Sequence, residues 1–237
     1  MIDAGGPKSW VEWRWVVRPE TPWSIRGPGQ EGASLLAPAR DWRNRPYIPG
    51  STMRGKIRDS FRKWINLLAT AAGTPAGTTD GPARSGWIDV ERYCFGEPGT
   101  HPGRLYVDDS YAEEQTPGPA VPFAQRPRIA IDRRMGVVKD NFFVAETLVT
   151  TEWSFSGGMG LYTSREDVIA LLTLAVLGVK SLGSGRSIGR GRLSWGFSGD
   201  EDPGSSLLTV LVNGAPWAPA ASRAQLQTWV LDRWFRL

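Results

Sequence analysis

Residues 47–69, YIPGSTMRGKIRDSFRKWINLLA, decide the first helix of the fold. Pro49 and Gly50 interrupt the preceding chain, and either Ser51 or Thr52 is predicted to cap a helix that follows. Apolar side chains then recur every three or four residues, which predicts an amphipathic helix that packs one face against a core. The residues on that face are Met53, Ile57, Phe61, Trp64, Ile65 and Leu68.

The same helix carries a stripe of cations beside its apolar face. Arg54, Arg58 and Arg62 recur every four residues, with Asp59 as the acidic residue nearby. A solvated basic face usually carries interleaved glutamates as partners. The N-terminus of a helix also presents unpaired N–H groups and the positive end of its dipole. We therefore predict that the first two turns, which include Lys56, bind phosphate. A purely solvated face is the alternative.

The composition is typical of a globular protein, with 237 residues, 41% apolar and 22% charged. That length accommodates one large domain or two small ones. Cys94 and His101 are the sole cysteine and histidine, which argues against disulfides, a cysteine or histidine zinc site and a Ser–His–Asp triad. The pattern of a signal peptide and apolar runs of membrane-spanning length are not found, so we expect a cytoplasmic protein with no membrane partner.

The positive charge is concentrated in three segments. The formal net charge is +4, yet residues 40–63 carry +6, residues 126–134 carry +3 and residues 180–192 carry +4. The rest of the chain therefore carries −9. If the three segments converge in space, they form a positive surface suited to phosphates. Three separate solvated faces are the alternative.

The order of predicted elements favours an α+β fold. Helices separated by pairs of strands are typical of a ferredoxin-like (RRM-like) palm with both helices on one face of the sheet. Ser164 and Asp167 predict a capping box that opens a nearly all-apolar helix. The other predicted elements are a strand at 10–17, a flexible insertion at 73–86, a strand near 105–107, a hairpin-like excursion, one long strand over 142–155, a strand at 207–214 and a helix at 222–235.

Residues 181–195, SLGSGRSIGRGRLSW, combine four glycines with three arginines. They lack the G-x-x-x-x-G-K-[ST] pattern of a P-loop, and their glycine spacing departs from G-x-G-x-x-G, so a nucleotide cofactor is not indicated. Backbone N–H groups and arginines at 186, 190 and 192 can instead wrap a phosphodiester chain. The alternative, a glycine after a helix plus a hairpin turn, explains one or two of the glycines.

These motifs carry a family resemblance. YIPGSTMRGKIR resembles the I-P-G-S-[ST]-[LM]-[KR]-G motif of the RAMP superfamily, the repeat-associated proteins of CRISPR–Cas systems. CFG…GRLYVDDS, RIAIDRRMGVVKDNFFVAETLVTTEWSF and LGSGRSIGRGRLSW resemble that family's later signatures in the same order. The resemblance covers about residues 10–197 and is nearest to the backbone subunits of type III effector complexes, which bind guide RNA on ferredoxin-like palms.

The resemblance implies a single RAMP-type domain over 1–237. Its core would span about 10–197, with insertions near 73–86 and 113–142, a thumb hairpin near 128–142, loop excursions, and a C-terminal strand and helix at about 205–237. It implies guide RNA (crRNA), target RNA, other effector subunits and repeated copies of the chain as partners. The predicted RNA-binding residues are Arg45, Gly50, Ser51, Thr52, Arg54, Lys56, Arg58, Arg126, Arg128, Arg133, Arg134, Gly185, Arg186, Ser187, Arg190 and Arg192.

Two catalytic alternatives stay open. Catalytic relatives carry an aspartate in the loop before I-P-G-S, but that position falls near Ser34 or Leu35 here. Asp41 or Glu31 is the candidate substitute, with a divalent metal such as Mg²⁺ as the one cofactor that cleavage of target RNA would require. The second alternative is a metal-independent ribonuclease that processes guide RNA; the isolated His101 argues against it.

Overall fold

The computed structural model describes residues 8–25, 35–36, 38–71, 82–114, 123–131, 134–184, 186–197 and 206–234. The helices are α1 (Gly50–Ala71), α2 (Pro82–Phe95), α3 (Glu166–Leu177) and α4 (Arg223–Trp234). The strands are β1 (Ser9–Val17), β2 (Leu35–Leu36), β3 (Tyr47–Ile48), β4 (Gly96–Glu97), β5 (His101–Pro102), β6 (Tyr106–Val107), β7 (Ser110–Ala112), β8 (Phe123–Ile131), β9 (Val138–Val149), β10 (Phe155–Thr163), β11 (Trp195–Phe197), β12 (Ser206–Val212) and β13 (Ala215–Pro216). In this part of the chain no helix is long and apolar enough to cross a membrane.

The main sheet is mixed and has the order β11-β12-β1-β10-β7-β3, with β6 also pairing with β10 and β13 with β12. Strand β1 lies between β10 and β12 and is antiparallel to both. Its residue Trp13 is opposite Met159 on one side and Val210 on the other. Strands β11 and β12 run parallel. The chain therefore has the α+β architecture that the sequence predicts.

The core lies between this sheet and the pair formed by α1 and α3. Alternation along β1 buries its inward apolar side chains, as the period of two predicts. The indole Nε1 of Trp13 donates to Thr173 Oγ1 on α3 at 2.9 Å, so burial of that ring leaves no unpaired polar group. Trp64 on α1 donates through Nε1 to the carbonyl of Leu174 at 3.0 Å. These contacts fix both helices on one core, and the predicted apolar face of α1 is confirmed.

A second sheet contains a long hairpin. Strands β8 and β9 pair antiparallel, and β2 pairs parallel with β9. The prediction of one strand over 142–155 is wrong, because β9 ends at Val149 in this second sheet and β10 begins at Phe155 in the main sheet. Trp23 exchanges two backbone hydrogen bonds with Val149, which anchors the end of β9 beside the main core.

Both predicted N-caps are wrong. Helix α1 begins at Gly50, and the N–H of that residue donates to the Asp109 carboxylate at 2.6 Å, so a distant side chain provides the cap. Helix α3 begins at Glu166 with no side-chain capping bond. Ser164 lies outside that helix, and Asp167 pairs with Arg165 instead.

Helix α2 contradicts the prediction that 73–86 is entirely a flexible insertion. It begins at Pro82, and proline is favoured at the first helical position because its missing N–H is not needed there. Val90, Cys94 and Phe95 are buried against the core. The 14 residues of α2 cover the flank of α1 that carries the arginine stripe.

The two glycines of α1 provide a matched test of its position. A Cβ on Gly50 would lie 2.5 Å from the carbonyl oxygen of Val107, whereas one on Gly55 would meet nothing within 4 Å. We expect Gly50→Ala to lower the free energy of unfolding by about 1–3 kcal/mol through overpacking. Gly55→Ala should raise it by about 0.5–1 kcal/mol through the better helix propensity of alanine. Thermal and urea unfolding followed by circular dichroism measure both, and equal effects would contradict this placement.

Candidate nucleic-acid interface

The arginine stripe of α1 is engaged by α2. Arg58 Nε and Arg62 Nη2 lie 2.7 and 2.8 Å from Glu91 Oε1, and Arg54 Nη2 donates to the carbonyl of Phe95 at 2.9 Å. Burial alone would raise the pKa of the Glu91 carboxyl, but hydrogen bonds and charge from the two arginines lower it below its usual value. Arg54 and Arg58 therefore make contacts within the chain, and their phosphate contacts stay predictions. The sequence did not reveal Glu91 as the partner of Arg58, because the two residues are 33 positions apart in the chain.

The start of α1 is also less open than predicted. Asp109 accepts the Gly50 N–H, so a carboxylate of the chain already occupies the position where an anion was expected. The N–H of Thr52 donates to the carbonyl of Pro49 at 2.9 Å, and Ser51 is exposed. The N–H of Gly50 is thus capped within the chain, and RNA binding at this helix start stays a prediction.

The other flank of α1 faces a basic cleft. Lys56 and Lys63 are seven residues apart, which places them on the same side of the helix after two turns. Lys180, in the segment after α3, lies across a cavity of about 180 Å³. The two walls touch where Gly178 packs on Ser60, since a Cβ there would lie 2.1 Å from the Ser60 hydroxyl. The full lining is Lys56, Asp59, Ser60, Lys63, Gly178, Val179, Lys180 and Ser181, and we name it the lysine cleft.

Lys63 and Lys180 were not among the predicted RNA contacts. The seven-residue spacing from Lys56 is the signal that could have added Lys63. Lys180 could not be placed from the sequence, because it reaches the cleft only through the packing of α3 against α1.

The glycine-rich loop continues from the lysine cleft. Ser181 pairs with Arg192, and the N–H of Leu193 donates to the carbonyl of Lys180 at 3.0 Å, which closes the loop at its base. Gly183 and Gly191 have φ values of +75° and +61°. A Cβ at these positions would approach the Ser24 and Leu182 carbonyl oxygens to 2.3 and 1.9 Å. Backbone conformation and close packing therefore require both glycines, independently of any ligand.

Arg190 is a structural residue and not a surface cation. It forms an ion pair with Glu146 of β9, and the two side chains are 8% and 1% exposed. Burial and a carboxylate partner withdraw the guanidinium from solvent, and nothing in this geometry supports the predicted RNA contact of Arg190. Arg192 stays exposed, 3.5 Å from Glu20, and Ser187 is exposed as well. Arg186 begins a short 3₁₀ turn.

The remaining predicted contacts lie on the hairpin or outside the described residues. Arg126 is exposed on β8, and Arg134 is exposed between β8 and β9. Arg128 lies on β8. Glu31, Arg133 and Gly185 fall outside the described residues.

A family model described as the RAMP superfamily matches residues 17–194. This chain belongs to the RAMP superfamily. The resemblance predicted from the sequence motifs is thereby confirmed. A comparison with curated proteins finds no match.

Among solved structures, a matching chain comes from "Cryo-EM structure of the Type III-B Cmr-beta bound to cognate target RNA". The TM-score is 0.51 at 15% identity, and the match covers 86% of this RAMP chain and 61% of that chain. At this identity the likeness concerns the fold. This chain spans about three fifths of the length of that matching chain.

Asp41 organises the loop of this RAMP chain that precedes β3. Its carboxylate accepts the backbone N–H groups of Arg43 and Arg45 at 2.9 and 2.8 Å and pairs with Arg45 Nε at 3.1 Å. The side chain is 5% exposed. Burial alone would raise the pKa of this carboxyl, but the hydrogen bonds and charge from Arg45, with the Arg43 N–H, lower it. This arrangement holds a turn together and does not favour a catalytic role for Asp41.

Arg45 itself bonds to Asp41 and lies 3.8 Å from Glu114. Within the described ranges, no group of three or more histidine, cysteine, aspartate or glutamate residues is placed to hold a metal ion.

The lowered pKa of Asp41 predicts a pH-dependent contribution to stability. A carboxyl whose pKa is lower in the folded state stabilises the fold fully above the ordinary aspartate pKa of about 3.9. That contribution disappears as the pH falls through the lower pKa of the folded state. Asp41→Asn should therefore lower the unfolding free energy at pH 7 by about 1 kcal/mol, with a difference that shrinks toward pH 3.

Urea unfolding at several pH values measures this difference. The control is Asp89→Asn, because Asp89 forms an exposed pair with Arg92 at 3.7 Å and such pairs contribute little. A pH-independent effect of Asp41→Asn would contradict the assigned role of its charge.

Proposed function

We propose that this chain is a guide-RNA-binding structural subunit of a type III CRISPR–Cas effector complex. Its partners would be guide RNA, target RNA, other subunits and further copies of the chain. Membership of the RAMP superfamily supports this, as does a fold similar to a chain of a type III-B complex described as bound to target RNA. The lysine cleft beside the glycine-rich loop is the observation that carries the proposal. The cytoplasmic location stays a prediction.

The proposed RNA path follows the lysine cleft into the glycine-rich loop. Lys56, Lys63 and Lys180 converge on one side of α1, with Asp59 as the acidic group of the lining. Lysine ammonium groups bind phosphate as point charges and need no base-specific geometry. Arg192 extends the positive surface along the base of the loop. Such a surface suits an RNA backbone of any sequence, as a guide-binding subunit requires.

We also propose the ferredoxin-like palm and the thumb. The strands β12, β1, β10 and β6 are neighbours in that order and antiparallel, and α1 and α3 share one core with them. The β8–β9 hairpin, with Arg126 and Arg134 exposed, would be the thumb that interrupts the RNA duplex. The single domain over 1–237 and its insertions stay predictions.

Cleavage of target RNA receives less support than scaffolding. Asp41 is committed to its turn through three donors, and Glu31 lies outside the described residues. His101, the residue that a metal-independent ribonuclease would use, is exposed on β5 away from the lysine cleft. We therefore place the function in RNA binding.

RNA binding by lysine variants tests the proposal. Lys63→Ala and Lys180→Ala should each weaken binding of a fluorescein-labelled single-stranded RNA to the full chain by about tenfold. Each should also reduce the slope of log affinity against log salt by about one, because one phosphate contact is lost. Fluorescence anisotropy over a salt series measures both quantities.

The matched control is Arg62→Ala on the opposite flank of α1. Arg62 pairs with Glu91, and Arg58 would keep that pairing in the variant. We expect unchanged RNA affinity for this control. If both lysine variants bind RNA as the unmodified chain does, the proposed path along α1 is wrong.

A further inference from the structure

Residues 40–46 form a tight hairpin that presents Trp42 at its tip. Arg40 pairs with Pro46 across its base. The N–H of Asp41 donates to the carbonyl of Arg45 at 2.8 Å, and the N–H of Asn44 donates back to Asp41 at 2.9 Å. Asn44 has a φ of 61°, a left-handed conformation that asparagine tolerates in turns. This backbone leaves Trp42 and Arg43 at the turn, pointing away from the core.

The side chains of Asp41 and Arg40 hold the hairpin in place. The nearly buried Asp41 carboxylate receives the backbone N–H groups of Arg43 and Arg45. The Arg40 guanidinium lies 4.2 Å above the Phe123 ring and donates to Asn44 Oδ1 at 2.9 Å. These contacts fix the turn on both sides of its tip.

Trp42 is 86% exposed, the highest value among the large apolar side chains that the structure describes. In contrast, Trp13 and Trp23 are fully buried. The Arg43 guanidinium lies 4.5 Å from the centre of the Trp42 ring and covers one face, so the other face is open. An indole displayed on a rigid turn contributes little to the fold and is available to stack on a ligand.

We propose that Trp42 stacks on an unpaired base of single-stranded RNA, with Arg43 and Arg45 beside the neighbouring phosphates. This inference rests on the proposed function and adds a base contact to the phosphate contacts of the lysine cleft. Aromatic side chains next to arginine are the usual stacking platform for single strands, because every base has a π-face.

The local charge favours RNA over a protein partner. Three arginines lie within residues 40–45, and the acidic group among them, Asp41, is committed inside the turn. Arg43 and Arg45 also face Glu114 at 3.0 and 3.8 Å, but that carboxylate is exposed, so a phosphate can replace it at little cost.

The test compares RNA with a backbone that has no bases. Binding of a fluorescein-labelled single-stranded RNA is measured by anisotropy, and inorganic polyphosphate is used as the competitor without bases. Trp42→Ala should weaken RNA binding by about tenfold and leave the salt slope and the polyphosphate affinity unchanged. Trp42→Phe should restore most of the affinity, because phenylalanine also stacks. The control is Leu67→Ala, which removes a different exposed apolar side chain, one that lies on α1.

Three results would overturn the inference. The first is unchanged RNA affinity for Trp42→Ala while Lys63→Ala weakens binding, which would leave the proposed function intact. The second is an equal loss of polyphosphate affinity, which would make the residue a backbone contact. The third is unchanged RNA affinity together with lost association between copies of the chain, which would assign Trp42 to a protein interface. If Lys63→Ala, Lys180→Ala and Trp42→Ala all leave RNA binding unchanged, the proposed path along α1 is wrong as well.

Discussion

The carboxylate of Glu91 determines which side of the first helix faces solvent. It receives Arg58 and Arg62 together, at 2.7 and 2.8 Å, and so fixes α2 against that flank of α1. The apolar face of α1 lies in the core with α3. The remaining flank, which carries Lys56 and Lys63, is the basic side of the helix that stays open. The candidate RNA path therefore lies on the flank of α1 that α2 leaves uncovered.

A second ion pair positions the other wall of that path. Arg190 and Glu146 are both buried and join the glycine-rich loop to strand β9 of the hairpin sheet. Removal of one partner from a buried pair typically costs about 3–5 kcal/mol, because a charge is left without compensation. Gly183 and Gly191 also approach the carbonyl oxygens of Ser24 and Leu182 closely, which packs the backbone of the same loop. These contacts connect the loop to both the lysine cleft and the hairpin sheet.

Local patterns predicted the parts of this structure that local physics decides. The apolar spacing of α1 and α3 and the alternation of β1 are properties of neighbouring residues, and the structure places those elements where the patterns predict them. The partners of Arg54, Arg58 and Arg190 could not be predicted, because each lies more than 30 residues away in the chain. The capping of Gly50 by Asp109 has the same cause. Charge density in the sequence therefore located the basic regions, but only tertiary contacts separate the arginines paired within the chain from the lysines that line the cleft.

Lysine footprinting tests most directly whether the lysines of the cleft contact RNA. The full chain is acetylated with and without bound single-stranded RNA, and the reactivity of each lysine is measured by mass spectrometry. We expect RNA to protect Lys56, Lys63 and Lys180, while the exposed Lys8 beside β1 reacts equally in both samples. Undiminished reactivity of the three cleft lysines in an RNA-saturated sample would contradict this expectation.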